Sequence, residues 1–442
     1  MNLKIRNFGA IKNADIKVDG ITVITGNNNT GKSTIGKIFY TFFNSFYDME
    51  TKIENSIKAK QQSVCIEELR EALMSDQRLD GVPRQFIRIF TRRLTNKIIE
   101  DRENISREDI EKTILALSNR YLLKKEEIKL IEDLIVQVLN DKILREDYVI
   151  VDEIDLEKEI VARYFKSIFN DQINSLIDYE TVAEIDVNIQ KKNLNLIFKN
   201  NDCEEINGNL AILHQAFYLD DPFIADDLDK CFMESSFYEN QQFLSIREHL
   251  IKNLSDLQVD FLNSLVDAVI SKDRLAEIEN LINEVIDGEL VPDGDGLKLA
   301  QKKYIQPIKI SNLSTGLKSF IIIKRLLELG NLRNKDVLIF DEPEIHLHPE
   351  WQIIYAQLIV LLQQKFDLTI IVTTHSLDFL DAIDYYTRYY KTNQKCNYYM
   401  SVEKEGGFEF QEIQEGLEQI YEKMVRPGLI LDDLKYKLED DE

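Results

Sequence analysis

The sequence predicts an α/β protein in which a mixed sheet flanked by helices carries an antiparallel β lobe and is interrupted by a helical insertion. Residues 3–25 alternate apolar and polar side chains as short strands do, and a glycine-bounded loop and a helical run follow at once. Far downstream, Val337-Leu338-Ile339-Phe340 is an apolar run too short for a helix, so it reads as a buried strand whose end delivers Asp341 and Glu342. Between them, residues 46–180 are charged, rich in Leu and Ile and poor in Gly and Pro, as a body of helices is.

Composition narrows the class. A chain of 442 residues exceeds one ordinary domain, so a core with an inserted body is expected. With 54 basic against 78 acidic residues the formal charge is −24, which opposes long-range attraction to nucleic acid or an anionic membrane. Cys65, Cys203, Cys231 and Cys396 form no CxxC pair, which fits reduced thiols rather than a disulfide framework or zinc site. No signal pattern or membrane-length apolar tract stands out, so a cytoplasmic protein without a membrane partner is expected.

Taken in order, Leu3, Ile5 and Phe8, then Ile11, Ile16 and Val18, mark an antiparallel pair, and an Asp19-Gly20 turn leads into a buried strand at 21–25. Gly26-Asn27-Asn28-Asn29-Thr30-Gly31-Lys32-Ser33-Thr34 satisfies GxxxxGK[ST] between a strand and a helix, the setting of a phosphate-binding P-loop. Its backbone N–H groups can wrap phosphate oxygens, Lys32 can neutralise the terminal phosphates, and the Ser33 hydroxyl can ligate Mg²⁺. Asn29 stands at a turn position often held by Gly, and Asn tolerates a left-handed backbone.

In the insertion, Ser106 and Asp109 resemble a capping box, and the apolar seams are too short for an extended coiled coil. Arg84, Arg88 and Arg92 recur at helical spacing beside Arg93 and Lys97, with no acid from 84 to 97. This basic face reads as a phosphate-contacting arm, as a solvated face or as a surface that docks on an acidic partner. A hairpin is expected over 182–198, a strand over 212–219 and a second helical segment over about 235–288. Gln215 is either a γ-phosphate-sensing, metal-binding glutamine or a structural one. Ser314 reads as the N-cap of an apolar helix ending near Gly330, whose free N–H groups make an anion site. A strand at 368–372 ends in Thr373-Thr374-His375-Ser376, which places His375 to orient an attacking water or sense a γ-phosphate. A last hairpin around Gly406-Gly407 leads to an acidic helical tail.

With NFGAIKNADI, GNNNTGKST, NLSTGLK, VLIFDEPEIHLHPEWQ and TTHS in this order, the chain resembles the ABC/SMC-related AAA-type ATPases. Within these it is similar to the OLD family and to ATPase subunits of antiphage systems such as Septu and PARIS. The resemblance implies an ABC-type head with ATP and Mg²⁺ as ligands. Lys32, Ser33 and Thr34 would lie on phosphate and metal, Asp341 on the metal-bound water shell, with Glu342 as general base and His375 as switch. Ser314 and Gly316 would make the signature contact to the nucleotide of a second head, so at least a head-to-head homodimer is implied. The signature departs from that of transporter ATPases at Thr315 and Leu317, where Gly and Gln are usual.

About 65 residues follow the TTHS stretch, too few for a Toprim nuclease, so a separately encoded effector such as a nuclease or toxin is expected. The expected function is a defence ATPase whose head pairing senses or gates that effector. The alternative is a repair or recombination clamp that grips duplex DNA. The expected layout is 1–45 (head, P-loop), 46–180 (helical arm), 181–232 (head), 233–298 (second helical insertion) and 299–442 (head, with signature, acids and His375).

Overall fold

The computed structural model describes residues 1–100, 105–143, 152–178, 180–230, 243–255, 275–294, 296–414 and 417–422. The chain divides into two compact units, one of residues 1–47 with 158–442 and one of 48–157.

The larger unit is built on one eleven-stranded mixed sheet, ordered β6-β5-β4-β1-β2-β14-β13-β3-β12-β11-β7. Strands β1 (Asn2–Phe8), β2 (Ile11–Lys17) and β3 (Ile21–Thr25) come first, and the alternating burial of β1 and β2 matches their alternating sequence. β4 (Ala183–Ile189), β5 (Lys192–Lys199) and β6 (Asp202–Gly208) extend the lobe beyond β1 in antiparallel register. The β4–β5 turn takes Gln190 and Lys191 at φ 49° and 71°, the left-handed pair of a tight hairpin. At the other end β7 (Ala216–Leu219), β11 (Val337–Asp341), β12 (Thr369–Thr374), β3 and β13 (Cys396–Lys404) run parallel. β14 (Gly407–Glu412) folds back on β13 and pairs with β2, which joins lobe and core into one sheet.

β3, β7, β11 and β12 are buried nearly throughout, as strands covered on both faces must be. One face packs on helix Lys32–Phe46, where Gly36 lets the helix approach so closely that a Cβ there would stand 2.9 Å from Ile339. Phe340, Phe320 and Tyr355 join a second apolar cluster with helices Thr315–Glu328 and Pro349–Phe366. The predicted fold class is therefore the observed one. β8 (Glu289–Asp293), β9 (Gly296–Ala300) and β10 (Ile308–Lys309) form a separate small sheet where the sequence had indicated the end of a helical segment.

The smaller unit contains helices Met49–Ser75, Arg84–Glu100, Arg107–Tyr121 and Lys125–Val138 around Leu69, Phe86, Phe90, Leu94, Ile114 and Ile131. The capping box is present: the Ser106 hydroxyl accepts from the Asp109 amide, and the Asp109 carboxylate accepts from the Ser106 amide. Residues 158–180, expected in the arm, belong to the larger unit, because Phe165 and Phe169 pack on Phe8 of β1 with ring centroids 6.2 and 4.8 Å away. Cys231, much of the second helical segment and the acidic tail beyond residue 422 lie outside the described residues. Among the described residues no helix is long and apolar enough to cross a membrane.

Asp336 sits at the foot of β11, 2% exposed, and its Oδ2 accepts from the Arg333 amide at 2.8 Å. Burial pushes this carboxyl up to about 7, against the pull of that amide and of the Arg333 charge. The folded state thus keeps a proton that the unfolded state, with a value of about 3.9, releases, so this contribution to stability is full below about pH 4 and is lost as pH rises toward 7. Asp336→Asn cannot titrate. Its melting temperature relative to wild type should rise by about 2 °C or more between pH 5 and pH 8, and a constant difference would show that Asp336 is ionised in the fold.

Candidate functional site

Four strand ends meet along one edge of the sheet: β3 at Thr25, β7 at Leu219, β11 at Asp341 and β12 at Thr374. Parallel register sets them level, with Asp341 opposite Thr373, Thr373 opposite Ile24, and Phe340 opposite Leu219. This is the edge at which open parallel sheets bind ligands.

The loop after β3 takes left-handed conformations at Asn29 (φ 61°) and Gly31 (φ 89°), which turn successive N–H groups to one side as an anion-binding nest requires. Gly26, at φ 143°, has no room for a side chain, since a Cβ there would lie 1.8 Å from Ser401 Oγ. Lys32 is 4% exposed, and its Nζ donates to the Asn27 carbonyl at 2.8 Å, while the Thr30 hydroxyl donates to the same oxygen at 2.9 Å. Burial pulls the Lys32 ammonium below its ordinary value, and Glu342, Asp341 and Glu344 oppose that pull. A desolvated cation is thus stored beside three acids at the start of a helix whose first turn also holds Ser33 and Thr34.

Asp341 is held at both oxygens. Its Oδ1 accepts from the Ser33 hydroxyl at 3.0 Å and from the Thr373 hydroxyl, and its Oδ2 accepts from the Tyr218 phenol at 2.6 Å. Tyr218 is almost fully buried, and burial followed by the Asp341 charge pushes its phenol well above the ordinary value, so it stays a donor. Asp220, just beyond β7, is pushed up by burial first and by Asp341 second.

Glu342 adopts φ 51°, unusual for a residue with a side chain. Its amide holds that turn by donating to the Thr373 carbonyl at 3.1 Å and to the Thr373 hydroxyl at 3.0 Å. Its Oε1 lies 2.7 Å from His375 Nε2, a close approach of acid and imidazole that is not aligned as a hydrogen bond. Glu344, two residues on, is 6% exposed and accepts from Thr374, His375 and Ser376 through Oε1. Burial raises its carboxyl, and these donors hold it down.

The oxygen set suits Mg²⁺. The Ser33 hydroxyl and Asp341 carboxylate are hard donors already in contact beside a phosphate loop, and Mg²⁺ characteristically takes one or two protein oxygens with substrate phosphates and water. Among the described residues no cluster of three His, Cys, Asp or Glu side chains could cage an ion, and a phosphate-shared Mg²⁺ needs none.

Sequence reasoning placed Lys32, Ser33, Asp341, Glu342 and His375, and the fold brings them together. It does not bring Gln215. That residue precedes β7 at the opposite end of the sheet, where its carbonyl accepts from the Val337 amide at 3.1 Å, and Asp220 stands level with Asp341 instead. Ser314 is at the N-cap of Thr315–Glu328 but makes no side-chain cap, and among the described residues neither it nor Gly316 bonds to the P-loop. Gly316 faces the turn after β11, where a Cβ would stand 3.0 Å from the His346 carbonyl and 3.2 Å from Trp351. Tyr218, Asp220, Thr373 and Glu344 were missed. A second acid two places after Asp341-Glu342 was the signal for Glu344, whereas nothing local marked Tyr218.

A P-loop after β3 and a strand-end acid pair after β11, parallel strands separated by β12, define the class, a P-loop nucleotide-binding α/β protein. The sequence pattern of the AAA ATPase domain family (AAA_15) matches residues 1–380, and the chain belongs to that family. No curated protein matches the chain. Among solved structures it is similar to an SMC head bound to the C-winged helix domain of ScpA (10% identity, TM-score 0.43, covering 95% of this chain and 98% of that one). It is also similar to the SMC head domain from Thermotoga maritima (12% identity, TM-score 0.36, covering 93% and 98%). A third similar structure is the Smc head domain with an extended coiled coil bound to the C-terminal domain of ScpA derived from Pyrococcus furiosus (13% identity, TM-score 0.38, covering 98% and 98%).

Proposed function

We propose that the chain binds and hydrolyses ATP with Mg²⁺ at the edge formed by β3, β11 and β12. The observation that carries this is the hydrogen bond from Ser33 to Asp341 beside buried Lys32, because it joins loop and acid at one point. Mg²⁺ bound by Ser33 and Asp341 would supply charge neutralisation at the β- and γ-phosphates. The chain's own groups do the rest. Lys32 leaves the Asn27 carbonyl for phosphate oxygen, the nest amides of 26–31 orient the triphosphate, and Glu342 takes the proton of the attacking water while His375 fixes the position of that carboxylate.

In this reading residues 1–47, 158–232 and 299–442 form the head, 48–157 the arm and 233–298 a second insertion. Ser314 and Gly316 serve the nucleotide of a second head, a role supported by the likeness of NLSTGLK to the ABC signature at the start of helix Thr315–Glu328. Head pairing would then gate a separately encoded nuclease or toxin in antiphage defence, in the cytoplasm. The likeness of the motifs to OLD-type and Septu or PARIS ATPases supports that setting. Light scattering tests the pairing: MgATP should shift the chain from monomer to dimer and MgADP should not, and an unchanged mass with MgATP would reject it.

One observation favours the DNA-clamp alternative. Arg84, Arg88 and Arg92 are exposed on helix Arg84–Glu100, and among the described residues none pairs with an acid. Reversing all three to Glu should abolish any DNA-stimulated turnover and flatten its salt dependence, since each phosphate contact releases counterions. Stimulation that survives the triple reversal would assign DNA contact elsewhere or to none of this chain.

A further inference from the structure

We propose that Glu344 is a positioning residue: one oxygen of its buried carboxylate fixes the loop that presents His375 to Glu342. Through Gln352 the same loop is tied to the turn on which the signature helix rests. The inference rests on the roles given above to Glu342 and His375 and adds how they are held in place.

Glu344 Oε1 collects three donors from three consecutive residues: the Thr374 hydroxyl at 2.7 Å, the His375 amide at 2.8 Å and the Ser376 amide at 3.2 Å. A single acceptor shared in this way sets the direction in which the chain leaves β12, and with it the place of the imidazole. The loop is closed on its far side as well. The Ser376 hydroxyl donates to Gln352 Oε1 at 3.0 Å, and Gln352 Nε2 donates to the carbonyls of Glu344 at 3.3 Å and Leu347 at 3.2 Å. Gln352 lies in the first turn of helix Pro349–Phe366, beside Trp351, on which Gly316 of the signature helix packs. One ring of hydrogen bonds therefore spans the acid turn, the His375 loop and the seat of the signature helix.

The other carboxylate oxygen argues against a purely structural role. Oε2 is buried and has no hydrogen-bond partner among the described residues, and a half-satisfied buried acid is costly to keep.

The test is steady-state kcat and KM for MgATP in wild type, Glu344→Ala, Glu344→Gln, His375→Ala and the double variant Glu344→Ala/His375→Ala. Glu344→Ala should lower kcat by at least about tenfold with KM changed by less than about twofold, because a displacement of about 1 Å at a reacting group can cost on the order of 10² in rate. Glu344→Gln keeps a carbonyl oxygen for the same three donors and should recover most of that loss. The double variant should be no slower than His375→Ala, because Glu344 acts through His375. Losses that multiply in the double variant, or a Glu344→Ala chain as fast as wild type, overturn the proposal. If Glu344→Ala does not fold, Thr374→Val removes the hydroxyl that donates to Glu344 and accepts from the Ser376 amide, with little change of shape, and must show the same dependence on His375. Wild type without turnover, or His375→Ala as fast as wild type, refutes the roles of Glu342 and His375 and this proposal with them.

Discussion

Glu342→Gln should lower single-turnover hydrolysis by about 10²–10³-fold while changing the affinity for MgATP by less than about threefold. The amide keeps the size of the side chain and its left-handed backbone at φ 51°, so the turn held by Thr373 survives and only proton acceptance is lost. Because Asp341 is bound separately by Ser33, Thr373 and Tyr218, the oxygens proposed to take Mg²⁺ keep their place. The variant should therefore accumulate as an ATP-loaded dimer, visible as doubled mass that persists for many wild-type turnover times. Equal hydrolysis by the two proteins would remove Glu342 from the role of base.

Lys32→Ala should raise the dissociation constant for MgATP by at least about 30-fold, the effect of deleting one partner from a buried charge contact worth roughly 2–5 kcal/mol. Fluorescent-nucleotide titration measures it. The fold should survive, because among the described residues the Lys32 ammonium makes one hydrogen bond, to the Asn27 carbonyl, and Thr30 holds that carbonyl as well. Binding within threefold of wild type would mean that the loop is not a phosphate cradle.

What could be read from the chain beforehand followed how local its cause was. The loop from Gly26 to Thr34 lies in nine consecutive residues, and the acids follow directly on an apolar strand, so both were legible. His375 was legible because the strand before it is apolar and ends abruptly. Gln215 misled because a residue's place along a strand depends on which strand it pairs with. The β7 partner is β11, and only its register shows that Ala216 is level with Val337 and that Leu219 is level with Phe340. Tyr218 was hidden for the same reason: its phenol reaches a carboxylate more than a hundred residues away in sequence. The expected strand at 212–219 shrinks to Ala216–Leu219 because β11 begins at Val337 and offers no partner further back. The small sheet β8–β10 escaped notice because its strands are short and follow a helical pattern.

The order of strands also sets a timetable for birth on the ribosome. β3 is finished at Thr25, yet its two neighbours in the sheet begin at Thr369 and Cys396. At about 5–20 residues per second of translation the nascent strand waits roughly 20–70 s for the polypeptide that will flank it. During that wait its unpaired backbone edges are open to misannealing with other strands.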